Sequence, residues 1–295
     1  MPRIAGGIVG LLIAIFLYLL VGERLGRFTV GGFVSSVLSA VGLGRADTAA
    51  AVALTVVIIT AFAYLTAALF TLGVPAAVPT GAVTPGPVEG FAGGLLTGLT
   101  GGTNFALWAL MLPGPAGLTL GVVTGVTSLL SVLPALSRTA PYKAVLGWTN
   151  WIMPYSYLAT ALGLVFFLVN LPFAVAAFGG AALRLDPRTG TVEMTGGLSG
   201  ITGFIGGFNL GNFTFLSLGP GVGLAARLAF TVPGVPAHEC GHTLNAGGFG
   251  GVVHWIGAID ENVPPLRRMR RAHTEMLAES NLPRSSPIPH LRVWS

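Results

Sequence analysis

The stretch "YSYLATALGLVFFLVNLPFAVAAFGGAALRLDPRTGTVEMTGG", residues 155–197, changes character once, at Leu183. Before that point, 155–182 is a charge-free apolar run, longer than the roughly 20 residues a helix needs to cross the hydrocarbon core of a bilayer. Trp148, Trp151, Tyr155 and Tyr157 gather at its start, as aromatic side chains do at a membrane interface, and Pro172 predicts a bend. After Leu183 the spelling alternates. "LRLD" and "TVEMT" flank Asp186, Pro187 and Gly190, residues that favour a tight turn, so a β-hairpin is expected. The chain is therefore expected to divide into a transmembrane helical domain over 1–183 and a small α+β domain over 184–295.

Upstream, the composition agrees with a membrane protein. The chain is 53% hydrophobic and 8% charged with a mean hydropathy of +0.79, against about 25% charged residues in soluble domains. No charged residue occurs over 48–88 or 90–137. Apolar runs over 4–22, 49–74, 90–112, 117–136 and 155–182 predict an α-helical membrane bundle of about five transmembrane helices. The first run is too long for a signal peptide and lacks a clean small-residue cleavage site, so it is read as a span. Segment 28–44, broken by Gly31, Gly32, Gly42 and Gly44, suits an interfacial or re-entrant piece. "VPAAVPTGAVTPGPVEG" reads as an exposed loop. In "GGLLTGLTGGTNFAL" the glycines predict close helix packing, because the runs hold no ionisable residue that would mark an ion route.

The net charge is +5, and nine of the 15 basic residues follow Leu183. On a membrane protein such an excess, "RRMRR" at 267–271 included, marks segments facing anionic headgroups, and no nucleic-acid partner is expected. With the amino terminus outside, five spans put Arg24, Arg27, Arg45, Arg184 and Arg188 inside and Arg3, Arg138 and Lys143 outside, which predicts a cytoplasmic tail. The single cysteine, Cys240, excludes an intramolecular disulfide and a Cys-rich metal site, and is expected to be a small apolar filler.

Downstream of the hairpin, "FNLGNFTFLSLGPG" predicts a strand over 212–218. Then comes "VPAHECGHTLNAGG", residues 235–248, in which His238, Glu239 and His242 spell H-E-x-x-H. On a helix, positions four apart share a face, so two imidazoles can hold one zinc ion while Glu239 lies beside the water to be activated. The context suits a helix: Pro236 fits its first turn, and Gly247 with Gly248 is expected to end it.

A third ligand is needed. The H-E-x-x-H-x-x-G-x-x-H pattern would require glycine at Asn245 and histidine at Gly248, which excludes that class. His254, beside Trp255 in an apolar run, is expected to be a packed or interfacial residue. Glu261 in "GAIDEN" resembles the third-ligand segment of thermolysin-like metallopeptidases, but Pro264 and Pro265 would break the helix that carries it. "TEMLAES", residues 274–280 on a helix expected over 266–281, resembles the E-x-x-A-E signature of the gluzincin class of zinc peptidases. That resemblance implies a zincin-like tail, with Glu275 as zinc ligand and Glu279 orienting a metal-bound histidine, Glu261 being the alternative ligand. "HECGHTLNAGGFG" is also similar to the H-E-x-G-H helix of site-2 proteases. From that family only the membrane context carries over, since no later span remains to supply its aspartate ligand.

The expected function is a membrane-anchored zinc-dependent metallohydrolase, most simply a peptidase, with membrane lipid and a peptide or protein substrate as partners. The opposing reading is a noncatalytic channel-like or scaffolding bundle in which H-E-x-x-H is accidental or a structural clip.

Overall fold

The computed structural model describes residues 1–24, 82–112, 114–198, 205–218, 234–255, 275, 277–278, 280–281 and 290–294, a mostly helical protein with a small mixed sheet. The expected span over 49–74, the segment 28–44, Glu261, the "RRMRR" run and Glu279 lie outside the described residues.

Helix α1 (Pro2–Arg24) is followed among the described residues by a two-residue strand, β1 (Ala82–Val83), and by helix α2 (Pro87–Met111). The two helices pack with their backbones in contact. A Cβ added at Gly6 would fall 2.0 Å from the Phe91 carbonyl oxygen, and one at Gly98 would fall 2.2 Å from that of Gly7. Small residues permit this approach, as expected for helices that pack in lipid. Next come α3 (Pro115–Leu129), the short α4 (Pro134–Ser137), α5 (Ala140–Asn150) and α6 (Tyr157–Phe178), which continues as a helix past Pro172.

Among the described residues, two helical stretches are long and apolar enough to cross a membrane, Pro115–Val132 and Pro154–Ala177, and Pro2–Tyr18 is a shorter apolar helix. They leave apolar side chains uncovered, among them Leu118 and Val122 on α3 and Leu158, Val165, Leu168 and Phe173 on α6. The expected span over 90–112 became α2, in which Thr97, Thr100, Thr103 and Asn104 are buried against neighbours and lower the hydropathy.

The turn read from Asp186 and Gly190 forms. Strands β2 (Leu183–Asp186) and β3 (Thr191–Thr195) are an antiparallel hairpin with Asp186 opposite Thr191 and Gly190 at φ 65°. A second hairpin, β4 (Ile205–Leu210) and β5 (Phe213–Leu218), joins it through a parallel β3–β5 pair, giving the order β2-β3-β5-β4. The aromatics read as an interfacial belt have a further role here. Trp148 Nε1 donates to the Pro187 carbonyl (3.0 Å) and Trp151 Nε1 to that of Gly190 (2.7 Å), clasping the hairpin turn.

Helix α7 (Val235–Phe249) carries the H-E-x-x-H motif, with Pro236 in its first turn. It does not stop at Gly247 and Gly248 as expected, but at Gly250, whose φ is 92°. Gly248 instead serves close packing, since a Cβ there would lie 2.8 Å from the Trp294 ring. The last strand, β6 (His290–Leu291), pairs in parallel with β1.

Among the described residues, two hydrophobic clusters each draw residues from either side of Leu183. One joins Leu96, Leu146 and Met153 to Leu244, Phe249 and Trp294, and the other joins Ala174 to Met194, Phe213 and Phe215. The basic residues expected opposite the tail touch it. Arg138 Nη2 donates to the Arg292 carbonyl (3.2 Å) and Lys143 Nζ to Asn281 Oδ1 (2.9 Å), contacts that a five-span alternation would separate by the bilayer.

Candidate metal centre

At about 100° per residue, His238 and His242 project from one side of α7, Glu239 flanks them, and Cys240 points away from both. The histidines approach each other with Nε2···Nε2 at 3.1 Å. Glu275 meets them from the C-terminal segment, with Oε2 at 3.0 Å from His238 Nε2 and Oε1 at 3.2 Å from His242 Nε2. Burial alone would raise the Glu275 carboxyl, but hydrogen bonds and charge from the two histidines outweigh it and hold it well below the usual carboxylate range. It is therefore ionised at neutral pH.

These residues fit zinc. A tetrahedral zinc with bonds of about 2.0 Å needs donor atoms about 3.3 Å apart, and two imidazole nitrogens with one carboxylate is a donor set that zinc accepts. The three observed separations, 3.0, 3.1 and 3.2 Å, lie close to that edge. The side chains are partly open, at 15% for His238, 11% for His242 and 28% for Glu275, so a small molecule can reach them.

The approach of Glu275 depends on Gly241, inside the H-E-x-x-H motif. A Cβ at Gly241 would fall 2.3 Å from the Ala278 carbonyl oxygen and 2.7 Å from its Cα. Asn281 secures the same segment, its Nδ2 donating to the Ala237 carbonyl at 2.8 Å. Glycine within the motif and alanine within "EMLAE" thus form one backbone contact that delivers Glu275.

Glu239 is buried at 3% exposure, its carboxylate against β4, where a Cβ at Gly207 would lie 2.6 Å from Oε1. His254, expected to be a packing residue, is buried and hydrogen-bonded to the Asn209 carbonyl at 2.8 Å. A carbonyl only accepts, so Nε2 bears the proton. The His254 ring stands edge-on to that of His242 with centroids 5.7 Å apart, and burial pushes its pKa down to about 4. Asn209 Nδ2 also donates to Thr243 Oγ1 (3.0 Å), and Thr243 Oγ1 to the Gly211 carbonyl (2.7 Å), fixing α7 to the β4–β5 hairpin.

Sequence reasoning missed Gly241, Asn209 and Thr243 as supports. It also misread the surroundings of Cys240, which sits among Thr189, Thr191 and Asp186 and fills no apolar gap. Neither family models, curated proteins nor solved structures match this chain.

Proposed function

We propose that the chain is a membrane-anchored, zinc-dependent metallohydrolase that cleaves peptides. The observation that carries this reading is the convergence of His238, His242 and Glu275 beside the helix position of Glu239. Bound zinc supplies a Lewis-acid charge that polarises a carbonyl and makes water more acidic. His238 and His242 offer Nε2 atoms and Glu275 offers its carboxylate. Glu239 takes a proton from the attacking water and passes it to the leaving amine.

A peptide suits the surroundings. Strand β4 ends the four-stranded sheet and has a free edge among the described residues, and its Gly207 lies against Glu239. An extended peptide adding to that edge would pair its backbone with β4 and bring an amide bond beside the carboxylate. The uncovered apolar faces of α3 and α6 hold the protein to lipid.

The test compares zinc content and cleavage of a peptide library by detergent-purified protein. His242→Ala loses the zinc of this site together with cleavage. Glu239→Gln keeps the zinc and loses cleavage by roughly 10²- to 10⁴-fold, the usual worth of a general base. Cleavage equal in Glu239→Gln and wild type would return the noncatalytic bundle as the better reading.

A further inference from the structure

A second cluster lies across α7 from the histidines. Thr191 and Glu193 are two apart on β3 and share the face turned to the motif helix, whereas Val192 and Met194 face the other way into the core beside α6. Donor atoms of Asp186, Glu193 and Cys240 lie within 4.8 Å of one another. All three residues are sealed, at 2%, 4% and 3% exposure.

The hydrogen bonds leave this cluster unfinished. Thr189 and Thr191 hydroxyls stand 3.2 and 3.1 Å from Cys240 Sγ, and Asp186 Oδ2 stands 3.5 Å from it. Arg188 Nε holds the other Asp186 oxygen at 3.0 Å, and Arg184 Nε lies 3.8 Å from Glu193 Oε2. Glu193 Oε1 is buried with no hydrogen-bond partner among the described residues. Two carboxylates this close repel each other, and an unsatisfied buried carboxylate oxygen is costly.

We infer that Asp186, Glu193 and Cys240 form a second divalent-cation site, one that takes zinc in preference to magnesium or calcium. A cation here would satisfy Glu193 Oε1, screen the two acids from each other and clip the β2–β3 hairpin to α7. The sulfur sets the selectivity, because thiolate suits zinc and its soft neighbours while magnesium and calcium prefer oxygen alone. On binding, the Cys240 thiol forms a sulfur–metal bond and its proton goes to solvent. This inference is independent of the reading of the histidine site.

The chain has one cysteine, so it carries its own spectroscopic reporter. Full-length detergent-purified protein, stripped of metal, is titrated with cobalt(II). A near-ultraviolet sulfur-to-cobalt charge-transfer band saturating at about one equivalent is expected, since cobalt accepts the same donors. The band persists in His242→Ala and disappears in Cys240→Ser. Glu193→Gln weakens the affinity reported by the band by about 10-fold or more. Wild-type protein that saturates with cobalt without a charge-transfer band overturns the inference and leaves a hydrogen-bonded latch. A band whose affinity is unchanged in Glu193→Gln overturns the site as assigned.

Discussion

Helix α7 carries a cluster on each side, and the two differ in what surrounds them. On one side His238, His242 and Glu275 are 11–28% exposed and their donor atoms meet from two separate stretches of chain. On the other, Asp186, Glu193 and Cys240 are at most 4% exposed and are built on one hairpin pressed against the helix. A reaction needs an entrance, and only the first cluster has one. The second has what a structural site needs: burial, rigid backing strands and acids already partly balanced by Arg184 and Arg188. On the proposed reading, one helix separates a reactive site from a structural one by the 200° between Cys240 and each histidine, at roughly 100° per residue.

The substitution with the largest expected effect tests that separation. Gly241→Ala puts a methyl into the Ala278 backbone, 2.3 Å from its oxygen. Neither backbone can yield cheaply, so the variant loses about 1–3 kcal/mol of stability, and Glu275 retreats. Zinc affinity at the histidine site falls by about 10-fold or more, read by competition with a chromophoric chelator. Cys240 stays unreactive toward a thiol reagent in the same variant. A Cys240 that becomes reactive would show that the two sides move as one unit.

Gly207→Ala is milder, because the new methyl meets a side chain and not a backbone, Glu239 Oε1 at 2.6 Å and Cγ at 2.8 Å. Peptide cleavage falls by roughly 10-fold, within the range a displaced general base costs, while zinc content is unchanged. Loss of zinc in this variant would place Glu239 among the groups that hold the metal.

The smallest effect concerns His254 and acid. Its pKa is lowered by burial to about 4 in the folded protein, against about 6.5 unfolded. The unfolded chain therefore binds more protons between these values, and stability is lost as pH falls from about 6.5 through about 4. In metal-free protein His254→Gln removes that contribution, so its thermal midpoint falls less steeply over this window than that of wild type. Parallel slopes would show that His254 does not titrate as the burial requires.

Local spelling made the first hairpin legible, since Asp186, Pro187 and Gly190 signal a turn whatever surrounds them. H-E-x-x-H was legible for a similar reason: helical spacing alone puts two histidines on one face. Glu275 could be nominated from "TEMLAES", but no local rule says that Gly241 must be bare for Ala278 to pass. Close backbone approach depends on a neighbour distant in sequence, and glycine has several local uses that compete with that one. The same blindness hid the partners of Cys240, which come from a hairpin some fifty residues earlier. Strand β4 escaped notice because Gly206 and Gly207 interrupt the alternation. The break in composition at Leu183 marks where charges resume, and the packing runs across it through Leu146, Leu244 and Trp294.

The role proposed for Glu275 is to complete the centre begun by His238 and His242. It is tested by titrating zinc into Cys240→Ser protein, where only the histidine site is read, and repeating the titration with Glu275→Ala and Glu261→Ala added separately. One tight site is expected in the Cys240→Ser background, with its loss in Glu275→Ala and affinity within about twofold of the background in Glu261→Ala, as for a residue outside both coordination shells. Tight binding that survives Glu275→Ala and vanishes with Glu261→Ala would contradict it.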